Sequence, residues 1–101
     1  MTTDIDDIFR MMSHQLRRET LCRLVAGEKR SVDIGVLLDW LTDTGRTRRE
    51  AKLELDHNHL PTLDRVGLVE YDDDAGVVRL ATVPAFVRRL CEIVRDCPAT
   101  D

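Results

Sequence analysis

The sequence lacks the residue patterns that mark most catalytic and metal sites. It has no Gly-rich phosphate loop, no nucleophile elbow and no paired-ligand motif. CxxC and HxxxH spacings are absent, and His57 and His59 lie two apart on a predicted helix, so they do not share a face. We therefore expect a protein that is not an enzyme and that binds neither a metal ion nor another cofactor.

Cysteine is scarce, since the 101 residues contain only Cys22, Cys91 and Cys97. An odd number of cysteines in a chain without an export signal argues against a disulfide framework. Cys22 and Cys91 fall within apolar helical patterns and are predicted to be small core residues. The alternative is a redox-sensing role for Cys91 and Cys97.

Long apolar runs are missing, and the first residues, MTTDIDDIF, are acidic where a signal peptide would be basic. We therefore expect a soluble, cytoplasmic protein without a membrane partner. Hydrophobic residues make up 43% of the chain and charged residues 34%, which is typical of a globular protein. The length predicts one domain, residues 1–101, whose small core a homodimer would stabilise.

Lysine is nearly absent, with two lysines against thirteen arginines, and the net charge is −4. An acidic surface repels nucleic acid on average, so the distribution of charge matters more than the total. Two segments are clearly basic: residues 14–30 have five cations and two anions, and residues 44–52 have four cations and one anion. The second segment opens the stretch that is most informative about function.

That stretch begins with a predicted helix over residues 47–60. Thr47 and Glu50 have the spacing of a capping box, so the helix should start near Arg48. Cations crowd this start, although they oppose the helix dipole there: Arg46, Arg48, Arg49 and Lys52. Local stability does not explain them, whereas contact with a polyanion does. The alternative is an ordinary solvated basic face.

A hairpin is predicted after this helix. Pro61 predicts a kink or break at residues 59–61, and Gly67 suits the left-handed end of a last turn, with Leu68 folding back on Leu63. Residues 69–71 and 77–80 are β-prone and flank an acidic turn at residues 72–76. The order is helix, strand, turn and strand.

Other helices are predicted over residues 4–12, after a Ser13 cap to about Ala26, after an Asp33 cap, and over residues 83–96. The first and last carry apolar stripes that we assign to dimerisation helices at residues 1–13 and 82–97, with intramolecular packing as the alternative. The predicted interface residues are Ile5, Ile8, Phe9, Phe86, Val87, Leu90 and Val94.

Two segments resemble a known family. SHQLRRETLCRL is similar to the second-helix signature of ArsR-like winged helix-turn-helix regulators, and HNHLPTLDRVGLVEYD resembles their passage from recognition helix to wing. The proline after HL, and the bias towards Asp and Arg, resemble the small winged-helix domains of halophilic archaea. The resemblance covers roughly residues 8–80, and the metal-sensing cysteine motif of ArsR-like proteins is absent.

The resemblance implies a mainly α fold with a small β-hairpin (α+β), that is, a winged helix-turn-helix. It also implies a homodimeric transcriptional regulator that binds a palindromic operator in double-stranded DNA. The implied DNA-contacting residues are Arg46, Thr47, Arg48, Arg49 and Lys52, with Arg79 supporting the wing. The wing tip, Asp72 to Asp74, would be repelled by phosphate. Two alternatives stand beside this: a protein-interaction module that uses Trp40 and the acidic wing, and a redox- or small-molecule-responsive regulator.

Overall fold

The computed structural model describes residues 4–27, 29–41 and 45–96, and these are mostly helical with a small antiparallel sheet. Its elements in chain order are α1 (Ile5–Met12), α2 (Gln15–Ala26), β1 (Ser31–Asp33), α3 (Ile34–Trp40), α4 (Arg48–Glu54), a π-helical turn (Leu55–His59), α5 (Leu60–Arg65), β2 (Val69–Asp72), β3 (Val77–Leu80) and α6 (Ala85–Asp96). No helix in these ranges has the length and apolarity needed to cross a membrane. The combination of helices with one small sheet confirms the prediction of a mainly α fold of the α+β class.

The three strands form one sheet in the order β1-β3-β2. The predicted hairpin is present, and its register places Glu70 opposite Arg79 and Tyr71 opposite Val78. β1 extends the sheet beyond the hairpin, because Val32 pairs with Val78 from the other side. The sequence analysis assigned no strand there, since a three-residue strand carries too little periodicity to be recognised.

Two predicted helix caps are wrong in detail. The Ser13 hydroxyl donates to the Arg10 carbonyl at 2.6 Å, so Ser13 ends α1, and α2 begins after His14 without a side-chain cap. Asp33 does precede α3, but its side chain makes no capping bond. Both residues were predicted to be N-caps from residue type and position alone. The free amides of a first helical turn can also be satisfied by other partners.

The core draws on α1, α2 and α6 as well as on the helices that precede the hairpin. Ile8 and Val87 are completely buried within the chain, so their assignment to a dimer interface is wrong. The other predicted interface residues remain partly or largely accessible: Ile5 (53% exposed), Phe9 (54%), Phe86 (38%), Leu90 and Val94. Intramolecular packing of α1 and of α6 on α2 therefore accounts for one side of each apolar stripe.

α4, the π-helical turn and α5 run on without a break, and residues 48–65 are called the long helix below. The break predicted at residues 59–61 is wrong. The irregularity lies one turn earlier, where the Leu60 amide bonds the Leu55 carbonyl across five residues. Pro61 then stands in the first turn of α5, a position that needs no amide hydrogen. The wider π turn allows the helix to continue past the proline.

The end of the long helix matches its prediction. The Leu68 amide donates to the Leu63 carbonyl at 3.0 Å, and the Gly67 amide donates to the Asp64 carbonyl at 2.9 Å. This pair of bonds is a Schellman motif, and Gly67 has the left-handed conformation it needs (φ 84°). Leu68 is fully buried, so the motif also directs the chain into β2.

Gly67→Ala should reduce the free energy of unfolding by about 1 kcal/mol, because alanine is strained at a positive φ. Gly35→Ala is the matched control. Gly35 lies inside α3, and an added Cβ would meet only a side-chain nitrogen of Arg48, at 3.8 Å. That change should stabilise the protein by about 0.5–1 kcal/mol. Urea denaturation of the two variants measures both; equal effects in one direction would contradict the assignment of the Gly67 conformation.

Candidate functional site

The long helix starts with the predicted capping box. The Thr47 hydroxyl accepts from the Glu50 amide at 3.1 Å, and the Glu50 carboxylate accepts from the Thr47 amide at 3.0 Å. The bond from the Thr47 amide lowers the pKa of Glu50, followed by the bond to the Thr47 side chain. The Thr47 hydroxyl is therefore engaged in starting its own helix. Residues 42–44 of the predicted preceding turn lie outside the described residues.

Two arginines at this start have carboxylate partners that the sequence did not reveal. Arg46 Nε lies 2.5 Å from a Glu54 carboxylate oxygen. Arg48 donates to Asp39 at 2.6 Å and to the Gly35 carbonyl at 3.3 Å, which ties α4 to α3. The inference that local stability cannot explain these cations is therefore incomplete, because both pair with carboxylates of the same fold and Arg48 joins α4 to α3.

Lys52 is paired as well, within a network that reaches the hairpin. Its ammonium lies 2.8 Å from one Asp56 oxygen, and the Tyr71 hydroxyl donates to the other at 2.6 Å. Burial disfavours the Asp56 carboxylate, but the bonds from Lys52 and Tyr71 outweigh it and lower the pKa of Asp56. Burial, followed by the bond to Asp56, raises the pKa of Tyr71. This network fixes β2 against the π-helical turn.

Arg49 differs from its neighbours. It is exposed in the first turn of α4, and it makes no hydrogen bond or ion pair with any residue in the described ranges. One helical turn later on the same face lies Leu53, whose side chain is 50% exposed. His57 is also exposed, at the following turn. The outward face of the long helix therefore presents one free guanidinium beside one exposed leucine.

The hairpin contributes little positive charge. Arg79 is exposed, and its guanidinium lies 4.0 Å from the Glu70 carboxylate on the paired strand. At the turn, Asp72, Asp73 and Asp74 are all exposed, and their carboxylate oxygens lie within 4.8 Å of one another. The tip of the hairpin is therefore strongly anionic, as the sequence indicated.

A buried polar cluster beneath the long helix was missed by the sequence analysis. Arg17 of α2 donates from Nε to His59 Nδ1 at 2.9 Å and from Nη2 to the Asn58 side chain at 3.2 Å. Only 8% of Arg17 and 3% of His59 are exposed. Burial, followed by the Arg17 charge, lowers the pKa of His59 to about 4, so its ring is neutral at pH 7.

A signal for this cluster was available in the helical spacing. Arg17 stands four and seven residues before Leu21 and Leu24, and His59 stands four residues from Leu55 and from Leu63. Both polar residues therefore lie on buried faces, because these leucines are fully or almost fully buried. A buried arginine and a buried histidine in one small domain need partners, and each is the other's.

Two features named by the alternative interpretations also have defined places. Trp40 is half-buried at the end of α3 and lines a shallow cleft with Val32 and Val36 beside β1. Cys22 and Cys91 are buried neighbours on α2 and α6, and the hydrogen bond between their thiols, followed by burial, raises the pKa of Cys22. Cys97, the other member of the suggested redox pair, lies outside the described residues.

The chain is a small α+β domain in which the capped long helix presents the Arg49 guanidinium outward. The chain belongs to a family described as a domain of unknown function (DUF7344), whose model matches residues 9–79. No curated protein and no solved structure matches the chain. The family match spans α2, the long helix and the hairpin up to Arg79, whereas Cys91 on α6 lies beyond it.

The buried His59 makes stability depend on pH. The pKa of His59 is about 4 in the folded chain and near 6.5 when unfolded, so the unfolded state binds the extra proton as the pH falls. Stability should therefore decline by about 2 kcal/mol between pH 7.5 and pH 5. Denaturation at several pH values measures this decline.

Two variants test the assignment of this pH dependence. His59→Gln removes the titrating group while keeping a hydrogen-bond acceptor, so the decline should largely disappear. His57→Gln, two residues away on the exposed surface, should leave the decline intact. An unchanged pH dependence in His59→Gln would show that another group causes it.

Proposed function

We propose that this chain is a DNA-binding transcriptional regulator of the winged helix-turn-helix class and not an enzyme. In this proposal α3 and α4 form the helix-turn-helix, the long helix enters the major groove, and the β2–β3 hairpin is the wing. The observation that carries the proposal is the state of Arg49. It is exposed and unpaired among the described residues, in the N-terminal turn where recognition helices contact base edges.

The ion pairs of Arg48 and Lys52 hold the long helix in a fixed orientation and leave less free positive charge on its surface. Arg48 anchors α4 to α3, and Lys52 is bonded to Asp56, which in turn holds Tyr71. Helix, preceding helix and hairpin are thus joined by polar contacts on the outside of the core. A helix that binds in a DNA groove must be held in a fixed orientation. Phosphate contacts then orient it on the duplex, and base contacts select the sequence.

The charge distribution limits how DNA would be approached. The net charge is −4, and three exposed aspartates form the hairpin tip. Phosphate would repel that tip, so we propose that the hairpin braces the long helix through Tyr71 and does not enter a groove. Arg79, which faces Glu70, then supports the hairpin and not the DNA contact. The resemblance to ArsR-like regulators and to winged-helix domains of halophilic archaea supports the recognition helix of this proposal, whereas the acidic hairpin tip departs from that family's pattern.

The functional unit in this proposal is a homodimer on a palindromic operator. Ile5 and Phe9 of α1 and Phe86 of α6 expose large apolar side chains, while the opposite sides of both helices are buried in the core. Leu90 and Val94 are only partly covered. A second copy of the chain is the simplest cover for such surfaces, and twofold symmetry would make each copy bind one half-site.

Light scattering should give about twice the 11.6 kDa chain mass. The Phe9→Asp and Phe86→Asp double variant should be monomeric, because a carboxylate in an apolar interface is costly to bury. Val36→Asp is the control, since Val36 is an exposed apolar residue on α3 and the variant should remain a dimer. A parent protein that is monomeric at micromolar concentration would rule out the dimer and with it the palindromic site.

A second candidate function is favoured by a specific observation. The anionic hairpin tip and the half-buried Trp40 are surfaces that a protein partner could use, and neither suits DNA. In that case the domain would be an interaction module without direct DNA binding. The two functions differ in what they require of Arg49, which the module does not need.

Arg49→Glu should abolish DNA binding and leave the stability unchanged, because Arg49 has no partner to lose in the described structure. Arg48→Glu should instead destabilise the fold by about 1 kcal/mol, since it replaces the bond to Asp39 with repulsion. Arg88→Glu, the same charge change on an exposed residue of α6, should retain binding. Fluorescence anisotropy with duplexes enriched from genomic fragments at high potassium concentration measures binding.

If Arg49→Glu binds those duplexes with the affinity of the parent, the long helix is not the recognition element. If the parent enriches no duplex at all, the interaction module is the better proposal. The Arg88→Glu control separates both results from a general effect of adding negative charge.

A further inference from the structure

The outward face of the long helix carries one exposed leucine beside the guanidinium of Arg49, which is unpaired among the described residues. Leu53 lies in α4 and is 50% exposed. The other leucines of the long helix are fully buried: Leu55, Leu60 and Leu63. Its neighbours on that face are Arg49, one turn before it, and His57, one turn after it. Helix propensity alone does not favour leucine over glutamate or lysine at an exposed position.

The pair offers two kinds of contact that are complementary to one edge of DNA. A guanidinium forms two parallel hydrogen bonds with the O6 and N7 of guanine, and an apolar side chain contacts the C5 methyl group of thymine. Arginine to guanine is the commonest specific base contact in the major groove, and the thymine methyl group is the apolar feature presented there. Arg49 and Leu53 supply one of each on the same face.

We propose that Arg49 and Leu53 together form the sequence-reading edge of the long helix and select a guanine close to a thymine in each half-site. Four helical residues rise about 6 Å, close to two base-pair steps along the groove. The guanine and the thymine should therefore lie within about two base pairs of each other. This inference rests on the proposed DNA-binding function and adds to it the base sequence that is selected.

The cations next to Arg49 and Leu53 are already bonded within the fold. Arg48 is bonded to Asp39, Arg46 to Glu54 and Lys52 to Asp56, so none of the three is free to compete for a base edge without losing a contact within the fold. Asp56 is held in turn by Tyr71. Of the four cations at the start of the long helix, Arg49 is the one that the described structure leaves without a polar partner, and we therefore assign selectivity to Arg49 and to the exposed Leu53 beside it.

The test begins with selection of binding duplexes from a random pool by the parent protein. Single thymines in the selected half-site are then replaced by deoxyuridine, which lacks only the methyl group. One replacement should weaken parent binding by about fourfold, the effect of removing one buried methyl group. The same replacement should have no effect on Leu53→Ala. Val36→Ala, which shortens an exposed apolar side chain on α3, should keep the fourfold effect.

The guanine is tested in the same way. Replacement by 7-deazaguanine removes the N7 acceptor and should weaken parent binding by about fivefold or more, whereas Arg49→Ala should bind both duplexes equally. If uracil weakens parent and Leu53→Ala alike, or if no thymine is sensitive, the reading edge is overturned while DNA binding stands. If the parent selects no duplex from the pool, the proposed function itself fails.

Discussion

The bond between Arg17 and His59 determines where the long helix lies on the rest of the domain. Arg17 comes from α2, and its guanidinium reaches both His59 and Asn58 in the π-helical turn. Arg17 and His59 are almost completely buried, so neither can exchange its partner for water, and a buried donor without an acceptor costs about 1–3 kcal/mol. An apolar contact would tolerate small shifts, but these directional bonds fix the rotation of the helix. The outward direction of Arg49 and Leu53 follows from that rotation.

The π turn itself is part of the same constraint. Pro61 cannot donate a backbone bond, and a regular α-helix through this position would leave a carbonyl unpaired one turn earlier. The wider turn at residues 55–59 accommodates the proline and at the same time brings Asn58 and His59 to Arg17. A helix that stopped at the proline would separate the start at Thr47 from the Schellman ending at Gly67. The continuous helix instead connects the capped end to the hairpin.

Local sequence signals predicted the features that depend on neighbours along the chain. The capping box at Thr47 and the left-handed Gly67 lie within a few residues of their partners, and the two β-prone runs of the hairpin are joined by a short turn. Features that depend on distant partners were missed or misread. Arg17 and His59 are 42 residues apart, and Arg48 bonds Asp39 on another helix, so helical spacing could indicate that Arg17 and His59 are buried but could not identify the partners of either arginine. Ile8 and Val87 were assigned to the dimer interface for the same reason, because an apolar stripe does not show which element covers it. Both are core residues.

The internal pairing of the cations changes what a basic segment means in this protein. A segment with four cations suggests an electrostatic surface, yet three of them bond carboxylates in the same fold, and the chain as a whole is anionic. A surface of this kind gains little from the release of counterions, which normally supplies most of the sequence-independent affinity for DNA. Binding would then rest on the few contacts that fit a particular sequence. Under the proposed function, an acidic regulator whose described structure leaves one arginine free at the start of its long helix discriminates strongly between sequences because it has so little non-specific attraction to any of them.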